Sequence, residues 1–224
     1  MKPAAPILVA IGLAGVAAAA GTIVGTVHAV GKAGAEADLP AGAYASRKYK
    51  FAERVDYDSW RDFVVYLDQP LPGAVSPPAV PARVVQQGAA FSPHVLPILV
   101  GTTVEWPNHD EIFHNVFSDS EIKPFDLGLY KKEIKRVTFD RPGRVDVFCS
   151  IHSKMHCIIL VLPNPYFATT DARGRYRLGP LPAGTYRLKA WHDRLPAEVQ
   201  TVHVPAAGEV RVDLTLGLKN LPAY

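Results

Sequence analysis

A short stretch in the second half of the chain carries three side chains that bind soft metal ions. Cys149, His152 and Met155 occupy every third position, so one tight loop can turn all three toward a single point. His114, far upstream, can close the site from a neighbouring strand. A thiolate, two imidazoles and a thioether form the ligand set of a mononuclear blue-copper centre, with a weak axial methionine. The sequence therefore predicts one type 1 copper ion bound by His114, Cys149, His152 and Met155.

The residues around these ligands resemble the cupredoxins, and within them the short-loop amicyanin and plastocyanin-like proteins. The resemblance rests on Asn108, Asp110, residues 114–116, residues 143–149 and the ligand loop. Residues 125–130 and 164–167 are similar to the methylamine-utilisation-type cupredoxins of bacteria. The resemblance implies a Greek-key β-sandwich and a protein that carries electrons, not an enzyme. It leaves the pathway open, because a fold pattern does not define a function.

The same resemblance implies roles for residues beside the ligands. Asn115 is expected to tie the two ligand loops together by hydrogen bonds. His152 is expected to expose one ring edge through an apolar surface patch, where the electron leaves. The neighbours expected in that patch are Met155, Pro124, Phe125 and Pro93.

Other histidines and the second cysteine leave alternatives open. His109 and His156 flank the ligands and could replace one of them if the loop folds differently. Cys157 is expected to remain single and to behave as a small buried hydrophobe, two residues after Met155 on the same face of a strand. A disulfide between the two cysteines is the alternative, because the chain has the features of an exported protein.

Composition narrows the range of functions that we expect. The chain has 224 residues and a formal net charge of +3, which is too small to indicate a nucleic-acid partner. It contains no convincing Ser/His/Asp or paired-carboxylate constellation, so we expect no enzyme activity. A cluster of cations could steer an acidic redox partner or simply protect a strand edge from aggregation; it consists of Lys131, Lys132, Lys135 and Arg136.

The start of the chain predicts export. Residues 1–20 contain one lysine, an apolar run and a final Ala18-Ala19-Ala20, the layout of a cleaved signal peptide. An uncleaved membrane anchor is the alternative, because apolar and small residues continue to Val30. Cleavage is favoured, because the run is rich in Ala and Gly and residues 21–27 alternate like a strand. We therefore expect a periplasmic protein without stable membrane insertion after cleavage.

The remaining chain predicts two all-β units. A proline-rich linker, residues 71–81, precedes residues 82–163, where strands are expected at 83–91, 96–106, 112–117, 133–139, 144–149 and 156–162. Many short strands at this spacing indicate a sandwich or a barrel. Further strands are expected at 22–30, 63–67, 198–204 and 209–216, and a hairpin turn is expected around Asp171 and Gly174.

Residues after Pro163 resemble the carboxypeptidase regulatory-like domain, a small transthyretin-like β-sandwich. In that family the opening strands look like residues 21–27 and 63–67, which here precede the copper unit. This suggests one sandwich split into residues 21–70 and 164–218, with residues 82–163 inserted between them. A host domain tolerates such an insertion where its chain ends lie close together.

The leading functional prediction is a periplasmic blue-copper electron carrier that exchanges electrons with a partner protein. Two alternatives belong to other classes. One is a copper-delivery protein, although a chain with only two methionines lacks the Met-rich stretch expected of such a carrier. The other is a structural binding sandwich whose copper site is incidental. A binuclear copper centre is disfavoured because the loop from Cys149 to Met155 holds no second cysteine.

Overall fold

The structure is a computed structural model that describes residues 20–30, 63–73 and 76–217. Within these ranges the helices and strands comprise β-strands only, which confirms the predicted all-β class. The strands are β1 (Ala20–Val30), β2 (Val64–Leu67), β3 (Ala82–Arg83), β4 (Val85–Gln86), β5 (Phe91–Ser92), β6 (Val95–Leu99), β7 (Thr103–Pro107), β8 (His114–Ser118), β9 (Phe125–Tyr130), β10 (Ile134–Thr138), β11 (Gly143–Phe148), β12 (His156–Leu162), β13 (Phe167–Thr169), β14 (Arg175–Pro182), β15 (Gly184–His192), β16 (Leu195–Val204), β17 (Gly208–Arg211) and β18 (Leu214–Gly217).

One sandwich, called here the flanking sandwich, combines β1 and β2 with β13 to β18. β1 pairs antiparallel with β14 and parallel with β17 and β18, while the facing sheet has the order β13-β2-β15-β16. Side chains of β1 alternate between core and surface, and Ile23 and Val27 point into a core shared with Leu178, Leu188 and Leu214. Strands far apart in sequence thus enclose one hydrophobic core.

The other sandwich, called the central sandwich, consists of β3 to β12. Its sheets have the orders β10-β7-β3 and β6-β12-β11-β8-β9, and β4 and β5 form a separate hairpin. The core is built around large aromatic side chains that are almost completely buried, namely Trp106, Tyr130 and Phe139. Both predicted β-sandwiches are therefore present.

β12 is buried on both faces, which explains its uninterrupted apolar sequence. Residues 157, 159 and 161 face the central core, whereas residues 158, 160 and 162 pack against Val64 and Tyr66 of β2 and Trp191 of β15. A strand covered on both faces reads as a continuous hydrophobic run instead of an alternating one. The two sandwiches therefore meet through a hydrophobic cluster of their own.

Two strands predicted as continuous are interrupted by turns. The stretch 83–91 is divided into β3, β4 and β5. Val84 separates β3 from β4, and a two-residue hairpin turn separates β4 from β5, because Gly88 and Ala89 have positive φ angles of 63° and 52°. The stretch 96–106 is divided into β6 and β7 at Gly101, whose φ is 86°. The apolar residues on either side continue the strand pattern, so side-chain pattern alone does not reveal these breaks.

The predicted strand 209–216 is likewise divided, into β17 and β18. Both pair with β1, and between them the backbone N–H of Val212 donates to the carbonyl oxygen of Val24. Gly25 lies at this crossing, where a Cβ atom would collide with the carbonyl oxygen of Val212. The turn predicted at Asp171 is present, and its carboxylate accepts the backbone N–H groups of Arg173 and Arg175. It does not form the predicted hairpin, because β13 and β14, which it joins, belong to different sheets.

Burial of Ile158 between the sandwiches leads to a stability prediction. Ile158→Val removes one buried methylene, so we expect the free energy of unfolding to fall by about 1 kcal/mol. Ile134→Val is the control, because Ile134 is 48% exposed and should cost close to nothing. Urea denaturation of both variants measures the difference. Equal, negligible costs would contradict the packing of β12 against β2.

Several sequence predictions fall on residues outside the described ranges. They are the signal peptide, apart from Ala20, and residues 31–62 of the segment predicted as the first part of the split sandwich. The described part of the predicted linker, residues 71–73 and 76–81, contains no strand. Within the described residues, no helix is long and apolar enough to cross a membrane.

Candidate metal centre

The structure brings the two predicted histidines and the predicted cysteine together. The ligand atoms of His114, Cys149 and His152 all lie within 4.8 Å of one another. The two Nδ1 atoms are 3.0 Å apart, and Sγ of Cys149 lies 3.7 Å from Nδ1 of His152. No other group of three such side chains within the described ranges converges in this way.

These separations fit one metal ion bound by all three side chains. Two metal–nitrogen bonds of about 2.0 Å that meet at about 100° hold their nitrogens about 3.1 Å apart. A metal–sulfur bond of about 2.3 Å, at about 120° to one of them, gives a sulfur–nitrogen distance of about 3.7 Å. The observed distances of 3.0 and 3.7 Å match these values. Two nitrogens and one sulfur also form the planar donor set that copper prefers in blue-copper sites.

Strand ends position the three side chains. His114 opens β8, and Cys149 immediately follows β11, which pairs with β8. The loop from Cys149 to Met155 is closed by two backbone hydrogen bonds, from Cys149 N–H to the Met155 carbonyl oxygen and from Met155 N–H to the His152 carbonyl oxygen. The third-residue spacing thus corresponds to a compact loop between β11 and β12.

Met155 lies at the end of this loop and is only 1% exposed. It packs in the same hydrophobic cluster as Cys149 and Cys157. A thioether in this cluster has the chemistry of the weak axial ligand in a blue-copper site. Its burial shows that the expectation of Met155 in a surface patch is wrong.

The apolar side chains that reach the surface near the ligands differ from the expected set. Of the other expected members, Pro124 is exposed, while Pro93 and Phe125 are half-buried, Phe125 against Trp106 and Phe139. Four apolar side chains adjoin a ligand in sequence or pair with its neighbour and are well exposed, namely Phe113, Leu129, Phe148 and Ile151. His152 itself is half-buried.

Asp110 contacts a predicted ligand, a role that sequence reasoning did not assign to it. Its carboxylate accepts a hydrogen bond from Nε2 of His114 at 2.8 Å. Because a carboxylate only accepts, this bond places the imidazole hydrogen on Nε2 and leaves the Nδ1 lone pair directed toward the metal position. The signal in the sequence was a carboxylate four residues before the histidine.

The hairpin turn between β4 and β5 holds this carboxylate in place. The backbone N–H groups of Gly88 and Ala89 donate to Asp110 at 2.7 and 2.9 Å. Burial raises the pKa of Asp110, but the hydrogen bonds from Ala89, His114 and Gly88 outweigh it and keep the pKa below its usual value. The carboxylate is therefore ionised at neutral pH.

Asn115 connects the two ligand segments through its backbone. Its N–H donates to Sγ of Cys149 at 3.4 Å, which links β8 to the ligand loop. Its side-chain amide instead donates to the Asp126 carboxylate at 2.6 Å. The backbone hydrogen bond therefore ties the sulfur of the ligand loop to the segment that carries His114.

The alternative histidine ligands have other partners. His109 is exposed, and its backbone N–H donates to the Gln86 carbonyl oxygen. The ring of His156 is stacked on Phe148, and its Nε2 lies 3.0 Å from Asp146. Neither belongs to the cluster of three converging ligands within the described residues.

The predicted basic cluster is bound largely to its own chain. Lys131 and Lys132 pair with Glu111, and Arg136 pairs with Glu105. Lys135 donates to the Leu127 carbonyl oxygen. These contacts favour a structural role for the four cations.

Cys157 is free and completely buried, and Cys149 is also free, so the alternative of a disulfide is wrong. Burial, and secondarily Asp146, raises the pKa of the Cys157 thiol. In Cys149→Ser we expect Cys157 to react with a thiol reagent at least about 10³-fold more slowly than in the unfolded chain, because reaction requires unfolding. Immediate reaction of the folded variant at pH 8 would contradict this burial.

Comparison with known proteins returns one family model. Residues 161–217 match the model described as the carboxypeptidase regulatory-like domain. These residues include β13 to β18 of the flanking sandwich. The comparison with curated proteins found no match.

The similar solved structures include three copper proteins. The first is a Cu-containing nitrite reductase from Thermus scotoductus SA-01, with 36% sequence identity and a TM-score of 0.36. The second is a purple cupredoxin from Nitrosopumilus maritimus, with 28% identity and a TM-score of 0.33. The third is a Cu(I) form of a mutant amicyanin, with 21% identity and a TM-score of 0.35. The matches cover 42%, 36% and 44% of this chain. They span 25% of the nitrite reductase chain, but 99% and 98% of the other two. The family model thus returns one of the two families that the sequence resembles, the carboxypeptidase regulatory-like domain.

Proposed function

We propose that the protein is an electron carrier that binds one type 1 copper ion through His114, Cys149, His152 and Met155. The observation that carries this proposal is the convergence of one thiol and two Nδ1 atoms at separations of 3.0 and 3.7 Å. Copper bound there would supply a one-electron Cu(I)/Cu(II) couple.

The surroundings of the ligands suit electron transfer better than catalysis. His114 is completely buried and fixed by Asp110, and Cys149 is 5% exposed and accepts a hydrogen bond from Asn115. Ligands held this firmly move little when the charge of the metal changes, so the energy of reorganisation stays small. His152 is half-buried and offers a short path to the surface.

The remaining parts of the proposal concern location and domain organisation. We propose that residues 1–20 are a cleaved signal peptide, that the mature protein works in the periplasm without stable membrane insertion, and that it exchanges electrons with a redox partner protein, not with nucleic acid. We also propose that residues 82–163 are a copper domain inserted into a sandwich formed by residues 21–70 and 164–218. Support for the insertion comes from the pairing of β1 with β14, β17 and β18.

Voltammetry of the copper-loaded protein tests this function. An electron carrier should give a reversible one-electron wave and exchange electrons rapidly with small redox reagents. It should keep its copper when it is mixed with a second copper-binding protein from which the metal has been removed. It should not consume nitrite. An irreversible wave together with rapid loss of copper to the second protein would instead support copper delivery.

A further inference from the structure

A hydrogen-bonded bridge joins the flanking sandwich to the segment that carries Met155. Asp193, in the turn between β15 and β16, lies 3.2 Å from Nε2 of His94. The other ring nitrogen of His94, Nδ1, lies 3.2 Å from the carbonyl oxygen of His156. His94 therefore contacts both sandwiches, immediately before β6.

The geometry of this bridge suits a protonated imidazole. A carbonyl oxygen and a carboxylate only accept hydrogen bonds, so His94 can satisfy both only by donating from both nitrogens. Such charge-assisted hydrogen bonds are roughly twice as strong as neutral ones. The side chain of Asp193 is 9% exposed and that of His94 is 37% exposed, so water reaches the bridge mainly from the side of His94.

Asp193 remains ionised in this environment. Burial raises its pKa, but the hydrogen bond from His94 and the charges of His192, His94 and Arg144 outweigh burial and keep the pKa below its usual value. The guanidinium of Arg144 also lies over the Trp191 ring, 5.8 Å from its centre. A charged rim therefore borders the hydrophobic contact between the sandwiches.

The bridge ends at the first residue after the proposed axial ligand. The carbonyl oxygen of Met155 accepts the N–H of Cys149, and the N–H of Ile158 donates to the carbonyl oxygen of His94 at 2.8 Å. The backbone at Met155 and His156 is thus held by the ligand loop on one side and by His94 on the other.

We infer that Asp193 acts through His94 as a positioning residue for Met155, so that the flanking sandwich helps to set the reduction potential of the copper site. This inference rests on the proposed function. It gives the flanking sandwich a task within electron transfer, because the axial ligand is one of the groups that tune the potential of a blue-copper site.

The test compares Asp193→Ala, His94→Gln and the double variant with the unsubstituted copper-loaded protein; alanine is used because an asparagine oxygen could still accept from His94. Each single variant breaks the same bridge. Both should therefore shift the equilibrium between the Cu(II) and Cu(I) forms toward the reduced form by about threefold; a tenfold shift corresponds to 59 mV in the reduction potential. The double variant should shift it no further than either single one, since the two residues act as one unit. A through-space effect of charge would instead move the two single variants in opposite directions.

A second readout uses the protein without copper. Breaking the bridge should loosen the hydrogen bond from Cys149 N–H to Met155, so the Cys149 amide should exchange its hydrogen faster, by about tenfold. Asp171→Ala is the matched control, because it removes a hydrogen-bonded carboxylate from the turn between β13 and β14 of the same sandwich. That control should change neither the potential nor the exchange rate.

Different results would contradict the positioning role of Asp193 and the proposed function. Opposite shifts in the two single variants, or an unchanged potential and unchanged Cys149 exchange despite lower stability, would overturn the positioning role alone. If the unsubstituted protein shows no reversible one-electron wave, the proposed function fails, and the positioning role fails with it.

Discussion

Cys149→Ser should abolish the intense visible absorption expected of the protein loaded with Cu(II). That absorption arises from charge transfer between a thiolate sulfur and the metal, and a serine hydroxyl cannot replace the thiolate at neutral pH. We also expect copper affinity to fall by more than about 100-fold, since loss of a partner that only supports a ligand already costs 10–100-fold. Absorption spectra and competition with a copper chelator measure the two effects.

Cys157→Ser is the matched control for this prediction. It makes the same chemical change at another buried position of the same core cluster, two residues beyond Met155. It should retain the visible band, although burying a hydroxyl there should lower stability. Persistence of the band in Cys149→Ser, or its loss in a folded Cys157→Ser variant, would contradict the assignment of the thiolate ligand.

Asp110→Asn should weaken copper binding by about 10- to 100-fold. In the unsubstituted protein Oδ2 of Asp110 accepts from both Ala89 and His114, while Oδ1 accepts from Gly88. An amide cannot satisfy all three donors, because its NH₂ group faces at least one of them, and it carries no negative charge. The hydrogen bond that keeps the imidazole hydrogen of His114 on Nε2 is therefore weaker, so a larger share of the imidazole should carry it on Nδ1, where the metal binds. The bound imidazole is also a poorer donor to Cu(II), so the reduction potential should rise. If affinity for Cu(II) falls tenfold more than affinity for Cu(I), the rise is roughly 60 mV.

Nitrogen-15 NMR of the metal-free protein shows which ring nitrogen of His114 carries the hydrogen, and competition with a chelator gives the affinity. Asp126→Asn is the control, because that carboxylate binds the Asn115 side chain and the Gly128 N–H but contacts none of the ligands. Its effect on affinity should be clearly smaller. An unchanged tautomer and affinity in Asp110→Asn would show that the carboxylate does not orient His114.

The ligands could be predicted from sequence because their chemistry is unusual. Few sites combine one cysteine, two histidines and one methionine, and the spacing of Cys149, His152 and Met155 is short enough to define a loop without knowledge of the fold. Asp110 was harder to assign. Its role depends on the turn at Gly88 and Ala89, which lies more than twenty residues away in sequence and was predicted as part of a continuous strand.

The interface between the sandwiches could not be predicted for a similar reason. A continuous apolar run such as β12 is compatible with several kinds of burial, and only the position of β2 shows what covers its outer face. The role of His94 has no signal in the sequence, because Asp193 is distant from it in the chain. Contacts that depend on how two units pack have no local sequence signal.

The surface patch near the ligands was predicted from proximity in sequence, and this gave a wrong result for Met155. Met155 and Phe125 were expected at the surface because they lie near ligands in the chain, but Met155 is buried in the core and Phe125 is half-buried against it. Proximity in sequence does not decide which face of a strand or loop a side chain occupies. Phe113, Leu129, Phe148 and Ile151 are exposed instead.

The most direct test of the copper site is the electron paramagnetic resonance and visible spectrum of the protein with one equivalent of Cu(II). A type 1 centre at His114, Cys149, His152 and Met155 predicts an intense blue band and a narrow copper hyperfine splitting, both of which disappear in Cys149→Ser. A pale sample with a wide hyperfine splitting, the same in the unsubstituted protein and in Cys149→Ser, would contradict the proposal.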